Sequence, residues 1–321
     1  MANFTFSSDL KDSALFSAGE PTDGTSEFDT QALEYLNNAY RGIWTGGGEL
    51  DPNISEAWWW LRKDTQGVLT LNPVITTGTV SVANNSASIT FSSGPTPSVS
   101  GRHFKVDGHP DVFIISAHTA GATAATLESV YTGTTDTTAA YKVFQLDYTL
   151  ASDVLYLASP MRVYQNSQGK IPGIDLQTLC QKWPLNTVGS GVPRNFARTG
   201  EQSVRFSHYG GTTSTDFIKV DYEYARIPAD LTDSGSEEPL VPKQFRHILS
   251  YWTAGMLLTE KDDGKATDLL ALAKNGLKAM ANENRRRIAR QSGQFGYIHT
   301  RQEQIDHYLN TVYTDSGIII P

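Results

Sequence analysis

The sharpest concentration of charge in the chain is Arg285, Arg286, Arg287 and Arg290, in the stretch NENRRRIARQ. Four guanidinium groups at this spacing fit three kinds of chemistry. They complement the negative end of a helix, they form a salt-bridge belt between subunits, or they grip phosphates. The last use normally comes with a basic protein. Here 26 Lys and Arg face 34 Asp and Glu, for a net charge of -8. That balance argues against a conventional DNA binder but suits a surface that DNA slides past.

The second concentration is Trp58, Trp59 and Trp60 in ISEAWWWLRKD. On a short helix capped by Ser55, three adjacent rings point in three directions, so at most two share a face. The expectation is a core pair plus a partly exposed ring, with subunit contact as the main alternative and a sugar platform as a minor one. Trp58, Trp59, Trp60 and the four arginines are therefore candidates for intersubunit or channel positions.

No catalytic set emerges. The sequence contains no GxSxG, phosphate-binding loop, HExxH or CxxC, and its seven histidines are scattered. His247 lies beside an apolar helical stripe and reads as structural. The single cysteine, Cys180 in IDLQTLCQKWP, excludes an intramolecular disulfide and reads as a buried, inert thiol. Glu237 with Glu238 and Asp262 with Asp263 read as solvated turn charges. No enzyme activity, cofactor or metal is expected. The opening MANFTFSSDLKD lacks a basic start followed by an apolar core, and no apolar run approaches the roughly twenty residues that span a bilayer. The expected site of synthesis and assembly is a cytoplasm, without membrane contact.

The elements that must position these residues are α+β. Residues 1–24 are polar and turn-rich. SEFDTQALEYLNNAYRGIW carries Ala32, Leu36, Ala39, Tyr40 and Ile43 at helical spacing, with Ser26 and Asp29 resembling a capping box and Gly46, Gly47 and Gly48 as a stop. Residues 1–65 thus read as an N-terminal segment and helices of a helical core. Residues 66–160 alternate apolar and polar in short runs such as GTVSVANNSASITF, predicting an inserted antiparallel β sandwich or barrel. Residues 161–240 form a second β region. Residues 241–291 predict a helical hairpin, with Phe245, Ile248, Leu249, Trp252, Met256 and Leu257 on one helix, and Leu269, Leu270, Ala273, Leu277 and Met280 on the next. The fold expected is a helical bundle core of the N-terminal helix plus this hairpin, interrupted by β structure.

Residues 292–321 lose both periods and read as an extended C-terminal arm. Phe295, Tyr297, Ile305, Tyr308, Leu309, Tyr313, Ile318, Ile319 and Ile320 are its apolar candidates for docking on another chain.

Several blocks together resemble the head-to-tail adaptor (connector) proteins of tailed bacteriophages, of the podovirus-like neck type with a β insert. The blocks are LEYLNNAYRGI, then VDYEYARIPADLT with Tyr224, Pro228, Asp230, Leu231 and Thr232. Val241, Pro242, Phe245, His247, Ile248 and Leu249 follow, then a helix with an Arg-rich end. Residues 78–154 resemble a β module common in phage structural proteins. The match spans about two thirds of the chain, and the β insert is larger than in the smallest, nearly all-helical adaptors. The resemblance implies a virion protein at the head-tail junction, in a ring usually twelve-fold, clamped between the portal and the tail nozzle or other tail proteins. Genomic DNA passes through such a ring without specific binding. The arm climbs into clefts of the portal, burying Ile318, Ile319 and Ile320. The alternatives are another neck or nozzle ring protein, a receptor- or glycan-binding tail protein using Trp59, and a virion-borne cell-wall hydrolase.

Overall fold

The computed structural model describes residues 4–24, 27–46, 50–54, 57–164, 169–211, 217–232, 237–261 and 263–291. The chain forms two compact units. One joins Met1–Arg62 to Arg226–Pro321, and the other is Lys63–Ala225. The fold is mixed helix and strand, with the helices concentrated in the first unit and antiparallel sheets in the second.

The helical unit contains α1 (Ser7–Ser17), α2 (Asp29–Trp44), and, after the β unit with its short α3 (Leu176–Lys182), α4 (His247–Glu260) and α5 (Lys265–Gln291). α2 buries Ala32, Leu36, Ala39, Tyr40 and Ile43, the five positions its spacing predicts. It stops at Thr45, followed by Gly46 at φ 110°, a conformation that side chains with a Cβ avoid. Of the expected Ser26 capping box and glycine stop, Ser26, Gly47 and Gly48 lie outside the described residues.

α4 touches α1, α2 and α5. This explains why Ser250, Thr253, Ala254 and Gly255 are buried along with Ile248, Leu249, Trp252 and Leu257. A helix surrounded on several sides has no solvent face to mark with charge. The expected helical start at Pro242 is a 3-10 turn, Lys243–Phe245, before α4 proper.

α1 corrects the expectation of a turn-rich opening. Its start is fixed by Asp9, whose Oδ2 accepts from the backbone N–H of Phe6 at 3.0 Å and of Thr5 at 3.2 Å. Leu10, Ala14 and Leu15 are fully buried, and Lys11 pairs with Asp29 at the start of α2 at 2.9 Å. The buried Arg246 ties down the same region. Its guanidinium donates to the carbonyls of Thr5 (2.6 Å), Pro239 (2.8 Å) and Val241 (2.9 Å), and to Glu238 at 3.2 Å. Glu238 is exposed, as a solvated loop charge should be, and is also a structural partner of Arg246.

The strands of the β unit are, in chain order, β1 Gly67–Leu71, β2 Val80–Val82, β3 Ser88–Phe91, β4 His103–Val106, β5 Phe113–His118, β6 Ala124–Leu127, β7 Asp136–Ala139, β8 Tyr141–Phe144, β9 Asp147–Thr149, β10 Val154–Leu157, β11 Met161–Val163, β12 Lys170–Ile171, β13 Phe196–Arg198, β14 Ser203–Phe206, β15 Ile218–Tyr222 and β16 Tyr224–Arg226. Seven of them make one sheet in the order β7-β2-β3-β6-β5-β4-β8. Its two edges, β7 and β8, are separated in sequence by Ala140 alone. The sheet must therefore curl until its edges nearly meet, which makes it a nearly closed barrel. Val80, Ile89, Phe91, Phe104, Ile115 and Val143 fill the inside.

The remaining strands form three smaller sheets: β1-β15-β11-β12 and β13-β14-β9, both antiparallel, and β10 with β16. Their shared core includes Leu71, Met161, Val204, Phe206 and Val220. β1 pairs with β15, and β9 with β14. The stretch expected as one module over 66–160 is thus divided: β2 to β8 form the barrel, while its first and last strands join the second β region.

Candidate functional site

Of the sequence candidates, the tryptophans and arginines are the ones the structure brings together. The organiser is Asn284, fully buried on α5. Its Oδ1 accepts from the backbone N–H of Trp59 at 3.0 Å, and its Nδ2 donates to the carbonyl of Ala57 at 3.3 Å. One amide side chain thereby holds the tryptophan segment on the helix. The segment is not the helix expected over all three tryptophans. It makes a single 3-10 turn, Trp59–Leu61, and Ser55 lies outside the described residues.

Trp58 is fully buried, donates from Nε1 to the carbonyl of Ile43 at 2.6 Å, and stacks on Trp60 with ring centres 6.1 Å apart. Trp60 is buried as well. Both are therefore core of their own chain. Trp59 is half-buried, with the Arg287 guanidinium 4.3 Å above its ring. Arg287 also donates from Nε to Glu283 at 3.0 Å. Such a stacked, paired guanidinium is largely satisfied within its own chain. Arg286 is exposed and Arg285 half-buried. Arg290 belongs to α5, but its side chain lies outside the described residues, as do all the arm candidates from Phe295 to Ile320.

The β unit holds a feature that the sequence did not announce, an open pocket of about 730 Å3. Its walls come from five separate stretches of the β unit. Residues 110–113, Ser129, Val130 and Thr132 belong to the barrel, Leu146 with Arg205 and Phe206 to the second β region, and Leu179, Cys180 and residues 183–186 to α3 and the loop after it. Asp175 starts α3 by accepting from the Thr178 N–H at 2.8 Å. Only Leu179 of this helix is buried.

Cys180 is consequently exposed, contrary to the buried thiol expected, and it lines the pocket. It lies within hydrogen-bonding reach of Arg205. Arg205 is fixed by two parallel bonds to Asp147, at 2.7 and 2.8 Å, which hold its guanidinium above its ordinary pKa. Beyond Asp147 stands His103, almost wholly buried, with Nε2 at 3.8 Å from the carboxylate and its ring stacked on Phe144. Burial keeps this imidazole below its usual value, opposed by the pull of Asp147.

Among the described residues, no group of His, Cys, Asp and Glu is placed to hold a metal ion, and no helix is long and apolar enough to cross a membrane. Comparison with protein-family models gives no match, and comparison with curated proteins gives none either.

Proposed function

We propose that the chain is a structural virion protein, a head-to-tail adaptor that forms a ring between portal and tail. Its helical bundle core would pack between neighbouring copies, and its C-terminal arm would dock into portal clefts. The observation that supports this reading most is the union of the two sequence blocks that carry the resemblance. In LEYLNNAYRGI, Asn37 exchanges two hydrogen bonds with the backbone of Leu231, and Arg41 forms an ion pair with Asp230. Both partners belong to PADLT, almost 200 residues away in sequence. The hydroxyl of Tyr40 accepts from the N–H of Leu240 at 2.9 Å just before the second helical block. The blocks thus pack against each other within one structural unit.

In this reading the arm contributes through its apolar end. Burial of Ile318, Ile319 and Ile320 is worth up to about 1.5–3 kcal/mol each, opposed by about 1–2 kcal/mol of backbone ordering per residue. One arm is then marginal, and a ring of arms binds by avidity. One face of the Trp59 ring is covered by Arg287, which narrows the platform that the glycan-binding alternative would use.

The test is reconstitution. The chain is mixed with portal rings from the same virion and imaged by electron microscopy, beside a variant ending at residue 291. A ring of copies under the portal, lost in the truncated protein, is the expected result. Location at the tail tip, or portal docking that survives truncation, overturns the proposal.

A further inference from the structure

The pocket beside α3 lies wholly within the Lys63–Ala225 unit. Val112, Val130, Leu146, Leu179, Trp183 and Leu185 supply its apolar walls, and Val130 is 46% exposed. Its volume of about 730 Å3 falls in the range of small-molecule sites, roughly 300–1,000 Å3. Arg205 is the single cation among the lining residues, and its side chain is partly buried. Of the N–H donors of a guanidinium, the one on Nε and one on Nη2 go to Asp147. The others leave from the second edge of the fork. Cys180, which lines the pocket, is within hydrogen-bonding reach of this guanidinium, so the second edge stands at the pocket wall.

We infer that this pocket binds a small monocarboxylate with an apolar body, the carboxylate on the second edge of Arg205 and the body over Val130, Leu179, Trp183 and Leu185. A guanidinium can hold one carboxylate through Nε and Nη2 and another end-on through Nη1 and Nη2. Asp147 takes the first position and fixes the group in place. The Arg205–Asp147 pair is neutral as a whole, so the apolar body drives binding and the arginine directs it. A purely apolar molecule would cover the second edge without giving it an acceptor, which costs free energy. The lining also limits the ligand to one acid. Asp111 is its single carboxylate, exposed, with Oδ2 accepting from the Thr132 hydroxyl at 2.8 Å. A second anionic group near it would be repelled. The inference makes no use of the adaptor reading.

Cys180 is a built-in reporter, being the chain's single thiol and exposed in the pocket. A neutral pyridyl disulfide exchanges with its thiolate and releases a coloured thiol, so the rate reads access. The full-length protein is labelled in the presence of octanoate or of 1-octanol, an acid and an alcohol with the same body. Octanoate is expected to slow labelling, by about tenfold at about ten times its dissociation constant. The alcohol should bind at least about tenfold more weakly. A merely greasy pocket gives the opposite order, since the acid costs more to desolvate. Arg205→Gln should weaken octanoate by about tenfold or more and leave octanol unchanged. Loss of the Asp147 pair could unfold that variant, so Val130→Glu, on an exposed wall position, is tested beside it and should weaken both probes. Octanol binding as tightly as octanoate overturns the inference. So does the absence of saturable protection by about 1 mM, or protection that survives Val130→Glu. Portal reconstitution reads the adaptor role separately, so failure of one leaves the other standing.

Discussion

Asn37 and Leu231, 194 positions apart, are joined as two backbone amides are joined in a sheet: Leu231 N–H donates to Asn37 Oδ1 at 2.8 Å, and Asn37 Nδ2 donates to the Leu231 carbonyl at 2.9 Å. Leu231 itself is buried. Asn37→Ala leaves a donor and an acceptor without their partner at a part-buried site. We expect a loss of about 2–4 kcal/mol in urea unfolding. Asn37→Asp keeps the acceptor and loses the donor, so its loss falls between. A destabilisation of Asn37→Ala below about 0.5 kcal/mol would show that the pair is incidental.

Asn284 and Arg287 act on the same tryptophan with very different stakes. Asn284→Ala removes both backbone bonds from a fully buried amide and is expected to cost about 2–3 kcal/mol. Tryptophan emission should shift to the red as Trp59 is released. Arg287→Ala removes a partly exposed stacking partner and should cost about 0.5–1 kcal/mol. Equal losses for the two variants would contradict this ranking.

Gly42 of α2 faces the Trp252 ring of α4. A Cβ added there would lie 2.5 Å from Cη2 of that ring. Gly42→Ala gains helix propensity of about 1 kcal/mol but overpacks the contact, at about 1–3 kcal/mol. The net expectation is destabilisation. The double variant Gly42→Ala, Trp252→Leu separates the terms: a coupling energy of opposite sign to the single losses, read by a double-mutant cycle, identifies the clash.

His103 gives the chain an acid sensitivity. Burial lowers its folded-state pKa, while Asp147 pulls it up and Arg205 pushes it down. The unfolded chain, with an ordinary imidazole near pH 6.5, binds the proton more tightly. Stability from the neutral form is therefore complete above about pH 6.5. It falls as pH drops below that value, down to the lowered folded pKa. His208 and His247 are lowered in the same direction, each chiefly by burial. Urea midpoints should fall between pH 7.5 and 5.5, by at most about 1.4 kcal/mol per pH unit for each group. His103→Gln should flatten that slope in part. An unchanged slope would place the sensitivity elsewhere.

Legibility in the sequence followed the number of faces each element buries. α2 has one buried face and was readable residue by residue. α4 is packed on several sides, so its stripe showed only part of what it buries, and the buried Ser250 and Thr253 lie off that stripe. α1 escaped notice because Leu10, Ala14 and Leu15 stand among serines, aspartates and a lysine, and its packing partners lie in α2 and α4. Cys180 misled through its apolar neighbours, since a helix of only two turns buries little beyond Leu179. Asn284 sits in NENRRR, where nothing distinguishes a buried amide from a solvated one. The pocket was illegible for another reason: its walls come from stretches that only the tertiary fold makes neighbours.

The division of the chain also sets an order of events during its synthesis. α1 and α2 are made first, yet the helix they pack on, α4, follows some 200 residues later. At roughly 5–20 residues per second, that is a wait of about 10–40 s. During it the whole β unit is made and can fold, while α1 and α2 have each other but lack α4, on which both pack. The nascent chain should then be a client for chaperones at its first helices and not at its strands. Mutations that weaken α4 should lower the yield of protein from the cell more than they lower the stability of the molecules that finish.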